Sequence, residues 1–411
     1  MDQNRIARTP DVESAAWRFY RRFVLFDWWG TLSKRLEESP SAVRWGLVIT
    51  AVLIGVIGRL WAQTKPSNFD FNVWLVASQS LLDGNNPYAL GQFNYGPTWL
   101  GLITGFQFLS SDTSQFRLFI EIFLTAIDLG IAFVLLKKHY TLAAIVFFLS
   151  PITIAISGQH QQIDNVAILV ALLATLLVVR SQTSRLAAAD WAGVFLLGFS
   201  LSIKHVFLLL PVWWFLRPGP IRKRLLYLIG PYVVFGVSLL YPFLSAQNTV
   251  TRTMIEYSGA NNTPVLYFLL PDQLMVWVGS WEGPKVFFAV ALVFCGYLFR
   301  RVRLFEFTLL YTLCAVVFSW SIVNQYLAVP VAAMAIWMNA GFLVWMLLAS
   351  VYLLGDPTSI DFPVLNQIQP NTLLDYNVVA KDLFPWIFFG WLLVAFNRQR
   401  LPTDEHSASE S

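Results

Sequence analysis

A small set of side chains, scattered widely along 411 residues, has the types needed to move a group between polar molecules. Asp70 could take a proton from a hydroxyl, and Lys204, with His205 and Arg252, could neutralise an anion such as a phosphate as charge builds on it. Tyr95, His160, Gln161, Asp164, Gln325 and Tyr326 supply amides, rings and a carboxylate that could meet a polar ligand. None of these positions is close to more than a few of the others in sequence, so a fold must bring them together.

What could do so follows from composition. The chain is 56% hydrophobic and only 13% charged, about half the charge that soluble domains carry. Its apolar residues come in blocks such as 43–62, 141–157 and 285–299, which reads as an all-α polytopic membrane protein. A net charge of +4 implies no nucleic-acid partner. Cys295 and Cys314 lie within apolar blocks and read as packed thiols. The amino-terminal stretch, with arginines interleaved with Trp and Phe, reads as an interfacial amphipathic segment and not as a cleaved signal.

About 12 transmembrane segments emerge from hydropathy and sidedness: 43–62, 116–136, 141–157, 165–179, 190–203, 205–216, 225–244, 285–299, 304–322, 326–338, 341–354 and 383–396. Placing the Lys and Arg clusters on one side requires the spans between them to come in pairs. That parity makes Pro97–Leu109 a short helix on the outer side, splits 190–216 at Lys204-His205, and turns the chain back near Asn339. The organisation is then a cytoplasmic interfacial segment (1–42), a membrane core with a partly helical outer loop at 63–115 (43–330), further spans with an outer loop at 355–382 (331–396), and a cytoplasmic tail (397–411). Polar residues that hydropathy does not explain gather at the outer boundary, in the stretches around Asp70, Tyr95, Ser157–Asn165, Lys204 and Asn324–Tyr326. Glu121 and Asp128, seven apart on one helix face, are expected to bond helix to helix.

The order of these features resembles the GT-C superfamily of integral membrane glycosyltransferases, especially polyprenyl-phosphate-mannose-dependent mannosyltransferases. The resemblance rests on Phe69-Asp70 after the first span, Leu81-Leu82-Asp83-Gly84-Asn85-Asn86-Pro87-Tyr88, Tyr95-Gly96-Pro97, Asp128, the turn Gly158–Asp164, Lys204 ahead of Pro211, and Asn324-Gln325-Tyr326. It covers roughly residues 43–330. The turn Gln159–Asp164 is longer than in some relatives, and Gly96 stands where Pro or Thr is often found.

The resemblance implies a hexosyltransferase that inverts the anomeric centre. A polyprenyl-phosphate sugar would be the donor, mannose or another hexose, and a glycolipid, glycan or protein on the outer side the acceptor. A phosphate leaving group is stable as an anion, so one base, Asp70, suffices where glycoside hydrolysis needs two carboxylates. Lys204, His205 and Arg252 would hold the donor phosphate, and Tyr95, His160, Gln161, Asp164, Gln325 and Tyr326 the sugar or acceptor. No cofactor is required. A divalent metal shared by Asp70 and Asp83 is a less favoured variant. The membrane expected is a prokaryotic plasma membrane ahead of the endoplasmic reticulum. The rival readings are a transporter or flippase of lipid-linked sugars and a non-catalytic glycosyltransferase subunit.

Overall fold

In the computed structural model the described residues are 18–180, 185–251, 265, 269–271, 274, 283–356, 359–368 and 382–403. They are helical, with no strand among them. Helix α1 (Asp27–Glu38) is followed by α2 (Ser41–Gln63), then α3 (Phe69–Leu82), α4 (Pro97–Leu109) and α5 (Thr113–Lys137). Next come α6 (Thr141–Leu149), α7 (Pro151–Ile154), α8 (Asp164–Arg180), α9 (Ala188–Ile203), α10 (Leu210–Leu216) and α11 (Ile221–Val250). The chain continues with α12 (Gly283–Phe299), α13 (Leu304–Val317), α14 (Val331–Ile336), α15 (Ala340–Gly355), α16 (Pro363–Ile368) and α17 (Phe384–Phe396).

Local chemistry sets many of these limits. Asn68, Asp112 and Asn339 cap α3, α5 and α15 through side-chain oxygens that accept backbone N–H groups. Pro97 and Pro151 open α4 and α7, where a missing N–H costs nothing. Extended backbone at Lys204 ends α9 there (φ −150°, ψ 135°), and a short 3-10 turn, His205–Phe207, precedes α10.

By length and composition, α2, α5 and α11 could each cross a membrane, and a fourth crossing is the pair Thr141–Leu149 and Pro151–Gln159, bent by 50°. The apolar helices α9, α12, α13, α15 and α17 are shorter. At 1.5 Å per residue, α9 with 16 residues rises about 24 Å and α13 with 14 about 21 Å, less than the roughly 30 Å hydrocarbon core. Helix α9 stops at Lys204, within the polar cluster described below. The count of about 12 full spans is therefore coarser in the structure: many apolar helices, few of full length.

Burial explains the radial order. Every residue of α13 from Phe305 to Val317 is buried, as expected of a helix apolar all round. In contrast, only 17% of the apolar window of α2 and 11% of that of α11 is buried, leaving apolar surfaces for lipid. The basic clusters meet at one end of the bundle. There Arg217 donates to the Val302 carbonyl, the Arg303 amide to Pro402, Arg400 to Asp27 at 3.0 Å, and Glu37 accepts from the Thr141 amide at 2.7 Å. The amino-terminal helix and the carboxy-terminal segment thus sit at one face, where the Trp29 indole also donates to Ala335.

At depth, Arg59 of α2 and Asp128 of α5 form an ion pair at 2.7 Å with both side chains wholly buried. Asp128 also accepts from Ser157 (2.7 Å) and Asn165 (2.6 Å), while Arg59 donates to the carbonyls of Gly55 and Phe148 and stacks on the Phe148 ring. The expected helix-to-helix bonding of Asp128 is present, with a partner on the first long helix. Its second role is to fasten both ends of the segment Ser157–Asn165. Removing one member of such a pair strands a buried charge, at a cost of about 3–5 kcal/mol. Arg59→Met should lower unfolding stability in detergent by about that amount, and Arg59→Met/Asp128→Leu should regain most of it.

Candidate functional site

At the end opposite the basic clusters, Asp70 occupies the first turn of α3. The segment before α3 is strapped to the turn after α7. Gln159 donates to the Pro66 carbonyl (2.8 Å), Asn68 to that of His160 (2.9 Å), and Gln162 to Asp70 Oδ2 (2.5 Å). Asp70 remains half-buried, with its Oδ2 engaged by Gln162.

Two residues along the turn, Asp164 begins α8 and accepts from Lys204 Nζ at 2.9 Å. This pair is buried, and the ammonium lies 5.5 Å from the ring centres of both Tyr95 and Tyr326. Two aromatic faces and a carboxylate fix where the charge sits, and an ammonium with three N–H donors can still reach a further acceptor. The Asp70 carboxylate is within electrostatic range of both Asp164 and His160. Asp70, Tyr95, Asp164, Lys204 and Tyr326 thus come together from five separate stretches of chain.

Gly96 makes the approach of Tyr95 possible. Its amide donates to the Ile203 carbonyl, and a Cβ at this position would stand 1.8 Å from the Ser202 carbonyl oxygen. The Thr98 and Ser202 hydroxyls are also hydrogen-bonded, so α4 is docked on the broken end of α9. The glycine that departs from the resembled pattern is thus required by a close backbone approach.

Other expected site residues are placed differently. The His160 ring bonds Ser359 Oγ (3.0 Å), and Gln161 donates to the Arg117 carbonyl (3.1 Å), so neither side chain points at Lys204. The divergence comes from Gln161, whose backbone is left-handed (φ 55°) and turns the chain between His160 and Gln162. Burial holds the His160 imidazole well below its ordinary range, at about 4, opposed in part by Asp356 and Asp70. His205 begins the 3-10 turn beside Lys204, and Gln325 lies in the turn Asn324–Leu327 with Tyr326. Arg252 lies outside the described residues. Gln162, the direct partner of Asp70, was not among the expected site residues; its signal was a place between His160 and Asp164 in a run of polar side chains.

The metal variant fails on geometry. Asp70 and Asp83 stand at opposite ends of α3, a rise of about 20 Å, and Asp83 is exposed and accepts from Gln79. They cannot share one ion.

Two outcomes follow. Gly96→Ala should push α4 from Ser202 and lower both thermal stability in detergent and affinity for any ligand held at Lys204. For His160, the unfolded imidazole titrates near 6.5 and the folded one near 4, so the unfolded chain alone gains a proton between these values. Stability then falls as pH drops through that window. His160→Gln should flatten the fall in unfolding midpoint between pH 7 and pH 4.5, and an unchanged slope would show that His160 is not responsible.

Comparisons of this chain with family descriptions, with curated proteins and with solved structures return no match.

Proposed function

We propose that the protein is an inverting GT-C-type membrane glycosyltransferase. It moves a hexose from a polyprenyl-phosphate donor to a hydroxyl acceptor on the side of the membrane opposite the basic clusters. The observation that carries the reading is the buried Lys204–Asp164 pair, flanked by Tyr95 and Tyr326, with the half-buried Asp70 carboxylate within electrostatic range of Asp164. In this reading the donor phosphate takes the free donors of Lys204, and its lipid tail leaves along apolar helix surfaces. Asp70 removes the acceptor proton as the hydroxyl attacks the anomeric carbon from the face opposite the phosphate. The C–O bond to phosphate breaks as the new glycosidic bond forms, and charge growing on the phosphate is met by the ammonium. The burial of Lys204 and Asp164 supports it, since it removes these groups from bulk water.

A second reading draws on the bent pair Thr141–Leu149 and Pro151–Gln159 and on the helix break at Lys204. Interrupted helices with polar ends are how secondary transporters hold their cargo. A transporter of lipid-linked sugars would bind the same head group without turning it over.

Purified protein supplied with polyprenyl-phosphate hexoses separates them. Asp70→Asn should lower the transfer rate by about 10²–10⁴-fold with donor binding retained. Lys204→Met should weaken donor binding. Undiminished transfer by Asp70→Asn would overturn the base assignment, and binding without turnover for every donor would favour transport.

A further inference from the structure

Where α2, α5 and α6 meet, the surface is hollowed. Ala51, Ala132 and Ala144, one from each helix, are buried and form a floor of small side chains, while Trp45, Ile49, Leu53 and Phe133 stand exposed as walls. The groove between them encloses about 340 Å³ and its lining is apolar or aromatic throughout, a size within the ~300–1,000 Å³ of small-molecule sites. Along α2 it runs from Trp45 to Leu53, a rise of about 12 Å at ~1.5 Å per residue, close to the ~15 Å of hydrocarbon in one leaflet.

One end of the groove reaches the basic end of the bundle. There the exposed Lys137 ammonium lies 5.2 Å from the centre of the Phe133 ring, a wall of the groove, and forms no ion pair among the described residues. The acid at this corner, Glu37, is already engaged by Arg44 (3.3 Å), by the Thr141 amide (2.7 Å) and, at 3.9 Å, by His139. Lys138 leans the other way, 5.6 Å from the Phe305 ring centre. The corner therefore keeps a surplus of positive charge, with Lys137 at the groove wall. Trp45 stands in the first turns of α2, where an aromatic ring suits the headgroup level.

We propose that this groove holds one acyl chain of an anionic phospholipid, with the head group at Lys137. Lipid tails are as apolar as the helices around them, so a chain in the groove gains close packing but no selection among lipids. Selection falls to the head group, and a lysine beside a bilayer surface favours a negative one. A partner helix fits less well, because it would need a seam of full-span length, ~30 Å, whereas this groove stays within one leaflet. The lining also includes Phe148, whose ring carries the Arg59 guanidinium and lies so close to Gly55 that a Cβ there would stand 2.6 Å from it. An occupied groove thus backs the helix contact that holds the Arg59–Asp128 pair. The lipid site is at the opposite end from Lys204 and stands whether or not the proposed function does.

The test is native mass spectrometry of the full chain in a non-ionic detergent, titrated with phosphatidylglycerol or with phosphatidylcholine of the same acyl chains. The wild type should bind a first phosphatidylglycerol about fivefold more tightly than phosphatidylcholine, the worth of one lysine near an anionic head group. Lys137→Gln should bring the two lipids close to equal. Ala132→Leu, which raises the floor, should weaken both lipids alike and leave their ratio as in the wild type. Thermal midpoints in lipid-free detergent check that each variant folds, and if Ala132→Leu unfolds, Ile49→Trp narrows the groove from an exposed wall instead. No preference for phosphatidylglycerol in the wild type, or a preference that survives Lys137→Gln, overturns the proposal. So does unchanged lipid binding once the groove is filled. A dimer in the lipid-free spectrum that the filled groove disperses would assign the groove to a second copy of the chain and overturn the lipid.

Discussion

The ion pair between Lys204 and Asp164 is the constraint to which the rest of this end of the molecule answers. A lysine and an aspartate removed from water each carry a desolvation cost of several kcal/mol, which is recovered only with close geometry and additional partners. Asp164 can sit at Lys204 only because α8 begins there, and Lys204 is free of helical backbone only because α9 stops there. The two tyrosines complete the surroundings of the ammonium, and one of them needs the bare backbone of Gly96 to arrive. A buried pair of this kind contributes little net stability against apolar replacements of similar size. In the proposed reading the ammonium is held there for the phosphate it would bind.

A second buried pair makes the first one reproducible. Arg59 and Asp128 hold Ser157 and Asn165, the two ends of the turn that carries Gln162 and Asp164. The close approach of Gly158 to α2, where a Cβ would stand 2.8 Å from Ala62 Cβ, seats the same turn against the first long helix. The site is thus positioned by side-chain bonds between helices and by missing side chains, a combination suited to a lipid setting where apolar burial alone does not select one helix arrangement.

Charge parity made several elements legible in the sequence: the short helix Pro97–Leu109, the break at Lys204 and the reversal at Asn339 each follow from keeping basic clusters together, and those clusters do meet at one end. The same reasoning brought Asp70, Tyr95, Asp164, Lys204 and Tyr326 to one boundary, where they converge. It could not resolve the turn 159–163, because the left-handed backbone at Gln161 redirects successive side chains and no hydropathy period marks it. Nor could it give full-length spans, since apolar runs say nothing of where a helix stops short. Arg59 lies inside the apolar run 43–62, and only packing reveals it as the partner of Asp128.

The proposed chemistry stands on the donor phosphate lying at Lys204 with Asp70 on the sugar side. A cryo-EM map of the protein with a polyprenyl phosphate tests this most directly. The account expects phosphate density within hydrogen-bond reach of Lys204 Nζ, between Tyr95 and Tyr326, with the Asp70 carboxylate facing the position of the sugar. Phosphate held elsewhere, with the Lys204–Asp164 pair closed and empty, would contradict it.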